Sequence, residues 1–214
     1  MIKILNLYCG IGGNRKLWDS EEVEVTAVEI NPSIAKVYQD LYPNDKVIIG
    51  DAHQYLLEHF EEFDFIWTSP PCPTHSKVRR TNPKQNKPIF PDMKLYEEIL
   101  LLEGYFKGKW VVENVISWYE PLKKPFIYKE HYYWSNFIIT GSERAYRGMN
   151  TKEESIELLQ RLKGFDLSKY TFKGISKIKV LRNCVEPKAG LEIFKSAFKD
   201  QQQTLSNQFA YNGE

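Results

Sequence analysis

The chain has little cysteine: three residues in 214, at Cys9, Cys72 and Cys184. An odd number without paired spacing builds neither a disulfide framework nor a zinc knuckle, so reduced thiols and no metal centre are expected. No apolar run approaches the roughly 20 residues of a helical membrane span, and no membrane partner is expected. Met1 to Leu7 opens straight into a strand-like run without a basic leader, an apolar signal core or a small-residue cleavage site. Export is therefore not expected, and a cytoplasmic protein is. Low-complexity sequence is missing too; with 42% hydrophobic and 14% aromatic residues, the composition argues against intrinsic disorder. The length allows one domain with a small appendage and excludes two catalytic domains.

Net charge is also nearly absent, at +1 from 29 basic and 28 acidic residues, but the charges are segregated. Between Pro73 and Pro91 lie Lys77, Arg79, Arg80, Lys84 and Lys87 with no carboxylate. Between Ser168 and Val185 lie Lys169, Lys173, Lys177, Lys179 and Arg182, again without an acid. Such stretches read either as solvated loops or as local phosphate-binding surfaces on a neutral protein.

What is present is a regular alternation. Ile2 to Tyr8, Val23 to Glu29, Val47 to Ile49, Phe63 to Thr68 and Trp110 to Glu113 read as strands. Helical spacing falls between them, from the glycine turn through Trp18, from Pro32 to about Leu41, from Gln54 to Phe60, and from an Asp92 cap to Phe106. Strand and helix in turn predict an α/β fold with a doubly wound, mostly parallel sheet, whose ligands sit at the carboxyl ends of the strands. Residues 69–91, with prolines at 70, 71, 73, 83, 88 and 91, read as a long functional loop. Beyond it, His131 to Ile139 reads as a strand, Lys152 to Leu162 and Pro187 to Phe198 as helices, and Lys169 to Arg182 as a short basic strand or loop.

The unusual residues fall at the strand ends. Tyr8-Cys9-Gly10-Ile11-Gly12-Gly13 closes the first strand with a turn that lets the backbone approach a ligand. It is neither the G-x-G-x-x-G pattern nor a phosphate loop. Glu29 ends the second strand and Asp51 follows the third, where carboxylates accept hydrogen bonds from an adenosine ligand. The fourth strand delivers Ser69-Pro70-Pro71-Cys72-Pro73, a cysteine on a stiff backbone suited to a positioned nucleophile or to inert burial. The fifth delivers Glu113-Asn114-Val115 beside it. A neighbouring acid does not lower a thiol pKa, so a cation or a helix terminus has to favour the thiolate.

In this order these residues resemble the DNA cytosine-5 methyltransferase family. Tyr8 to Gly13 is similar to its first motif, Glu29-Ile30 to its ribose and adenine contacts, and Asp51-Ala52 to its adenine-edge contact. Pro71-Cys72 is similar to its Pro-Cys and Glu113-Asn114-Val115 to its Glu-Asn-Val. Arg182-Asn183-Cys184-Val185-Glu186-Pro187 is similar to its last motif, with Asn183 and Val185 at the cofactor and a helix returning beside the first strand. The resemblance implies the Rossmann-like fold of class I S-adenosylmethionine-dependent methyltransferases and S-adenosyl-L-methionine as methyl donor. It implies double-stranded DNA as partner, a flipped cytosine, Cys72 adding to C6, and Glu113 holding N3 and the exocyclic amine.

Three departures stand beside it. Pro73 replaces the glutamine usual after the cysteine, and the Gln-x-Arg-x-Arg segment is missing, with His131 to Phe137 or Arg144 and Arg147 open as its replacement. The recognition region is reduced. The expected organisation is a catalytic domain over 1–145, a reduced recognition segment and small appendage over 146–180, a returning helix over 181–200 and a tail over 201–214. Lys77, Arg79, Arg80, Lys84, Lys87, Arg144, Arg147, Lys177 and Lys179 are the expected nucleic-acid contacts of a monomer, with a partner protein for recognition left open. A tRNA cytosine-5 methyltransferase and a catalytically silent binding subunit remain as alternatives.

Overall fold

The structure, a computed structural model, describes residues 1–81, 87–140 and 155–199, with the side chains of Arg79 and Thr81 outside that description. Strands β1 (Ile2–Leu7), β2 (Val23–Glu29), β3 (Lys46–Ile49), β4 (Phe65–Thr68), β5 (Lys109–Val115), β6 (Phe126–Tyr128) and β7 (His131–Ser135) form one seven-stranded sheet. Its order is β3-β2-β1-β4-β5-β7-β6. The first five strands run parallel; β7 lies antiparallel between β5 and β6. The helices are α1 (Pro32–Leu41), α2 (Ala52–His59), α3 (Val78–Thr81), α4 (Lys94–Tyr105), α5 (Ile156–Lys163), α6 (Lys177–Arg182) and α7 (Pro187–Ala197). A 3-10 turn, Arg15–Leu17, follows the glycine turn. This is the expected α/β fold with a doubly wound, mostly parallel sheet. No described helix is long and apolar enough to cross a membrane.

Strand alternation assigns the two faces. Ile4, Val25, Phe65, Trp67 and Val111 pack with Trp18 and with Ile193, Phe194 and Ala197 of α7. Leu5, Leu7, Val28, Ile66 and Val112 face the other way, onto Leu56 of α2 and Ile99 and Leu102 of α4. Each such aliphatic side chain contributes about 1.5–3 kcal/mol by leaving water. A third cluster joins Ile11 of the glycine turn and Ile34 and Val37 of α1 to Leu159 of α5 and to Val180 and Leu181 of α6. Helices α5 and α6 are thus packed against the glycine turn and α1.

Several boundaries differ from the sequence reading, each for a local reason. The expected strand from His131 to Ile139 ends at Ser135, because Asn136 takes the Trp110 N–H on Oδ1 (3.1 Å) and gives Nδ2 to the Gly108 carbonyl (2.8 Å). Its partner β6, only three residues long, carried too little pattern to be seen. Asp92 does not cap α4; Met93 does, while Asp92 Oδ1 accepts the Lys94 N–H. The basic stretch expected as a strand or loop forms α6 from Lys177, where the Ser176 hydroxyl accepts the Lys179 N–H. The helix expected from Lys152 starts at Ile156 behind a Ser155 cap; residues 152–154 lie outside the described residues. The 69–91 loop contains α3.

Candidate active site

The strand order reverses between β1 and β4, which opens a crevice at their carboxyl ends. On its β1 side, Gly10 is in the left-handed region (φ +56°), and a Cβ there would meet nothing within 4 Å. Gly12 and Gly13 are glycine for a different reason from the one the sequence suggested. A Cβ on Gly12 would lie 2.4 Å from the Tyr42 ring, and one on Gly13 would lie 2.2 Å from the Val185 carbonyl oxygen. Their missing side chains make room for α1 and for the chain returning into α7 rather than for a ligand. Val185, Asn183 as C-cap of α6, and the α7 helix therefore do come back to the first turn.

Glu29 is buried at the end of β2, with the Gly10 N–H on Oε2 (3.1 Å) and the Asn31 N–H on Oε1 (2.8 Å). Burial pushes its carboxyl up, and the Asn31, Gly10 and Ile30 N–H groups oppose that. Those bonds still leave the carboxylate acceptor capacity for a ligand hydroxyl. Ile30 beside it is exposed. Asp51 caps α2 by accepting the His53 and Gln54 N–H groups (2.9 and 3.4 Å), and Lys94 Nζ stands 3.7 Å away. Burial raises its carboxyl, but those N–H groups, Lys94 and His53 together hold it below the usual carboxylate range. Ala52 is buried behind it.

Between the two sides lies a residue with no counterpart in the sequence reading. Glu98 of α4 is fully buried, accepting the Tyr8 hydroxyl on Oε1 (2.6 Å) and the Thr68 hydroxyl on Oε2 (2.6 Å), with His53 Nδ1 at 3.0 Å. It ties the ends of β1 and β4 to the start of α2. Tyr8, held in the left-handed region at φ +52°, has its phenol pushed far up by burial and then by Glu98. The hydrogen bond to Glu98 raises the His53 imidazole against the burial that lowers it. The available signal was an acid within the apolar stripe of Leu95, Ile99 and Leu102.

On the chemical side, Cys72 is half-buried behind Pro71, and its carbonyl accepts the His75 and Ser76 N–H groups (3.0 and 3.1 Å). The segment is strapped to the end of β5. Asn114 Nδ2 donates to the Pro70 carbonyl (3.0 Å), Trp118 Nε1 to that of Thr74 (3.0 Å), and Trp118 N–H to that of His75 (3.0 Å). Burial and then Glu113 push the Cys72 thiol up; its own backbone N–H and the Lys179 ammonium of α6 pull it down. The cation that pulls the thiol down, Lys179, is a residue read in the sequence as a nucleic-acid contact. Glu113 itself has His131 Nε2 3.6 Å from Oε1. Cys9 and Cys184 are buried deeper, and burial raises both thiols, Cys184 to about 11.

The basic residues divide. Lys77, Arg80 and Lys87 are exposed along the segment after Cys72, with the Arg80 guanidinium over the Trp118 ring at 5.6 Å. Arg79 lies in α3. Lys177 Nζ donates to the Ser168 carbonyl (3.1 Å), and Lys179 is exposed. Lys84, Arg144, Arg147 and the 201–214 tail lie outside the described residues.

With this geometry in hand, comparison with known proteins adds the following. No curated protein matches the chain. Among solved structures, it is similar to a DNMT2 variant from Spodoptera frugiperda at 27% identity, covering 54% of this chain and 36% of that one, TM-score 0.38. It is similar to a putative DNA modification methyltransferase encoded within an Escherichia coli prophage at 17% identity, covering 56% and 34%, TM-score 0.39. A third is a TehB-like SAM-dependent methyltransferase from Corynebacterium glutamicum, at 16% identity, covering 52% and 54%, TM-score 0.32. The chain thus spans about a third of the length of the first two. Residues 2–88, which run from β1 through Cys72 and into the basic segment, match the family described as C-5 cytosine-specific DNA methylase.

Proposed function

We propose that the protein is an S-adenosylmethionine-dependent cytosine-5 methyltransferase acting on DNA. The observation that carries this reading is the meeting of Cys72 and Glu113 at the carboxyl ends of the adjacent strands β4 and β5, inside a chain whose residues 2–88 match the cytosine methylase family. S-adenosyl-L-methionine is the cofactor, and the residues present suit it. The open backbone at Gly10 fits close ligand approach, and Glu29 keeps acceptor capacity for ribose hydroxyls. Asp51 and Ala52 stand where an adenine edge is read, with Tyr8, Cys9, Ile11, Gly12, Gly13, Ile30, Pro71, Asn183 and Val185 shaping the surround. Bound there, the sulfonium supplies the methyl group that C5 of an activated cytosine takes up.

The chain's own residues do the rest. The Cys72 thiolate adds to C6, and Glu113 holds N3 and the exocyclic amine so that electron density moves to C5. Burial keeps the resting thiol protonated; it gives its proton to solvent, and the Lys179 ammonium, already felt at Cys72, stabilises the thiolate. Extruding the base costs roughly a few kcal/mol. Lys77, Arg80 and Lys87, together with Arg79 and Lys84, hold the backbone next to the shelf that carries Cys72. The packed α5 to α6 region, with Lys177 and Lys179, is the reduced recognition segment of a cytoplasmic monomer, and the catalytic domain spans 1–145.

Transfer of labelled methyl groups to duplex DNA and to tRNA, side by side, tests the reading. Labelling of cytosine C5 in DNA, lost in Cys72→Ala, is expected. Labelling of tRNA alone would transfer the same chemistry to RNA, and labelling of neither, with DNA still bound, would leave a silent binding subunit.

A further inference from the structure

The β6–β7 hairpin turns through Lys129 and Glu130, both in the left-handed region at φ +43° and +64°. Two-residue hairpin turns of this hand ordinarily take Asn-Gly, because a side chain there costs on the order of 1–2 kcal/mol. The turn is pinned from α7: Lys129 Nζ lies 3.5 Å from Glu186 Oε1 and 3.4 Å from Glu192 Oε2, and the Tyr128 hydroxyl bonds Glu192. Strain held in place from outside is often found where a side chain must be aimed. The side chain aimed here is His131, opposite Val115 in the ladder, with Nε2 3.6 Å from Glu113 Oε1.

Its other nitrogen settles the tautomer. His131 Nδ1 is 3.1 Å from the Lys129 carbonyl oxygen, which can only accept, so Nδ1 carries the hydrogen. In a neutral ring Nε2 is then a lone pair, turned toward a carboxylate oxygen. Two acceptors so placed are reconciled by one proton between them. At 3.6 Å the contact is too long for a direct hydrogen bond and closes by a small rotation or through a water. The His131 side chain is 43% exposed and that of Glu113 12%, so the imidazole links the acid to solvent. The other charged or titratable groups around the pair are Lys129 and Glu130 on the turn, Glu186 on α7, Tyr133 on β7, and Cys72 and Lys179 across the site.

We propose that His131 is a positioning residue that supplies, through Glu113, the proton that cytosine N3 takes up during catalysis. This rests on the cytosine methyltransferase reading. As the Cys72 Sγ–C6 bond forms, the C5–C6 π electrons shift toward N3. N3 then receives, through the Glu113 carboxyl, the one proton that the pair shares, which leaves Glu113 a carboxylate and His131 a neutral ring. After C5 has gained its methyl group and lost its own proton to solvent, the C6–S bond breaks, and the N3 proton returns through Glu113 to His131. The pair consumes no net proton, and the thiolate is regenerated.

The test pairs His131→Ala and His131→Gln methyl-transfer kinetics from pH 6 to 9 with 15N NMR of the imidazole in wild type and Glu113→Gln. Expected are a kcat lower by about a hundredfold with the KM for S-adenosylmethionine unchanged, partial rescue of the alanine variant by added imidazole, and a changed pH profile. The Nε2 signal should move in Glu113→Gln while Nδ1 stays. Wild-type kcat in either variant across the pH range, or a loss that imidazole never restores, would overturn the proposal, as would an Nε2 signal indifferent to Glu113. If the wild-type protein methylates no cytosine in DNA or RNA while Nε2 still answers to Glu113→Gln, the methyltransferase reading fails and the pair itself stands.

Discussion

The two sides of the crevice are held in shape by different means. On the β1 side the glycine turn is wedged: Gly12 against α1, Gly13 against Val185, and Arg15 buried in a two-point contact with Asp45 (2.9 and 3.0 Å) that also takes the Tyr38 hydroxyl. On the β4–β5 side the reactive segment is strapped by hydrogen bonds from Asn114 and Trp118, and the hairpin beside it carries strain. The cysteines follow the same division. Burial raises all three thiols, but Cys9 and Cys184 sit buried in the wedge, while Cys72 sits half-exposed on the shelf. The wedge ties the glycine turn to global stability. The shelf leaves chemistry separable from it.

Substitutions should break along that line. Glu113→Gln, on the shelf, is expected to lower methyl transfer by about 10²–10⁴-fold while leaving the unfolding free energy from urea titration within about 0.5 kcal/mol of wild type. Arg15→Ala, in the wedge, strands the Asp45 carboxylate, whose side chain is 4% exposed. A loss of about 3–5 kcal/mol in denaturant unfolding is expected. Gly13→Ala pushes a methyl into the Val185 carbonyl oxygen and should cost about 1–3 kcal/mol, with weaker cofactor binding by calorimetry. Gly10→Ala, in open space but left-handed, should cost about 1–2 kcal/mol and lose cofactor affinity out of proportion to that.

The smallest effect is on pH dependence at the boundary between the two sides. Glu98 raises the His53 imidazole above its ordinary value near 6.5. The stabilisation is therefore complete below that value and is lost as pH rises through the higher folded value. Urea midpoints between pH 6 and 9 should show a modest decline in wild type relative to His53→Gln. Parallel profiles for the two would remove His53 from the network.

Much of the shelf and the glycine turn was legible because each motif is local: the carboxyl end of a strand is marked by its own few residues, and Tyr8 to Gly13, Pro71-Cys72 and Glu113-Asn114 all lie there. What the sequence hid is nonlocal or short. Arg15 and Asp45 are 30 positions apart with nothing between to pair them, and β6 has three residues. Glu98 did carry a signal, an acid on an apolar helix face, but its partners come from three other elements. The packing reasons for Gly12 and Gly13 required knowing that α7 returns to the first turn.

The most direct measurement is the intact mass of the protein after incubation with S-adenosylmethionine and a DNA duplex containing 5-fluorocytosine, whose C5 fluorine cannot leave as the proton does. Expected is a covalent protein–DNA adduct carrying one added methyl group, mapping to Cys72 and missing in Cys72→Ala. An adduct at another residue, or methyl transfer to ordinary cytosine by Cys72→Ala, would contradict the assignment of Cys72 as nucleophile.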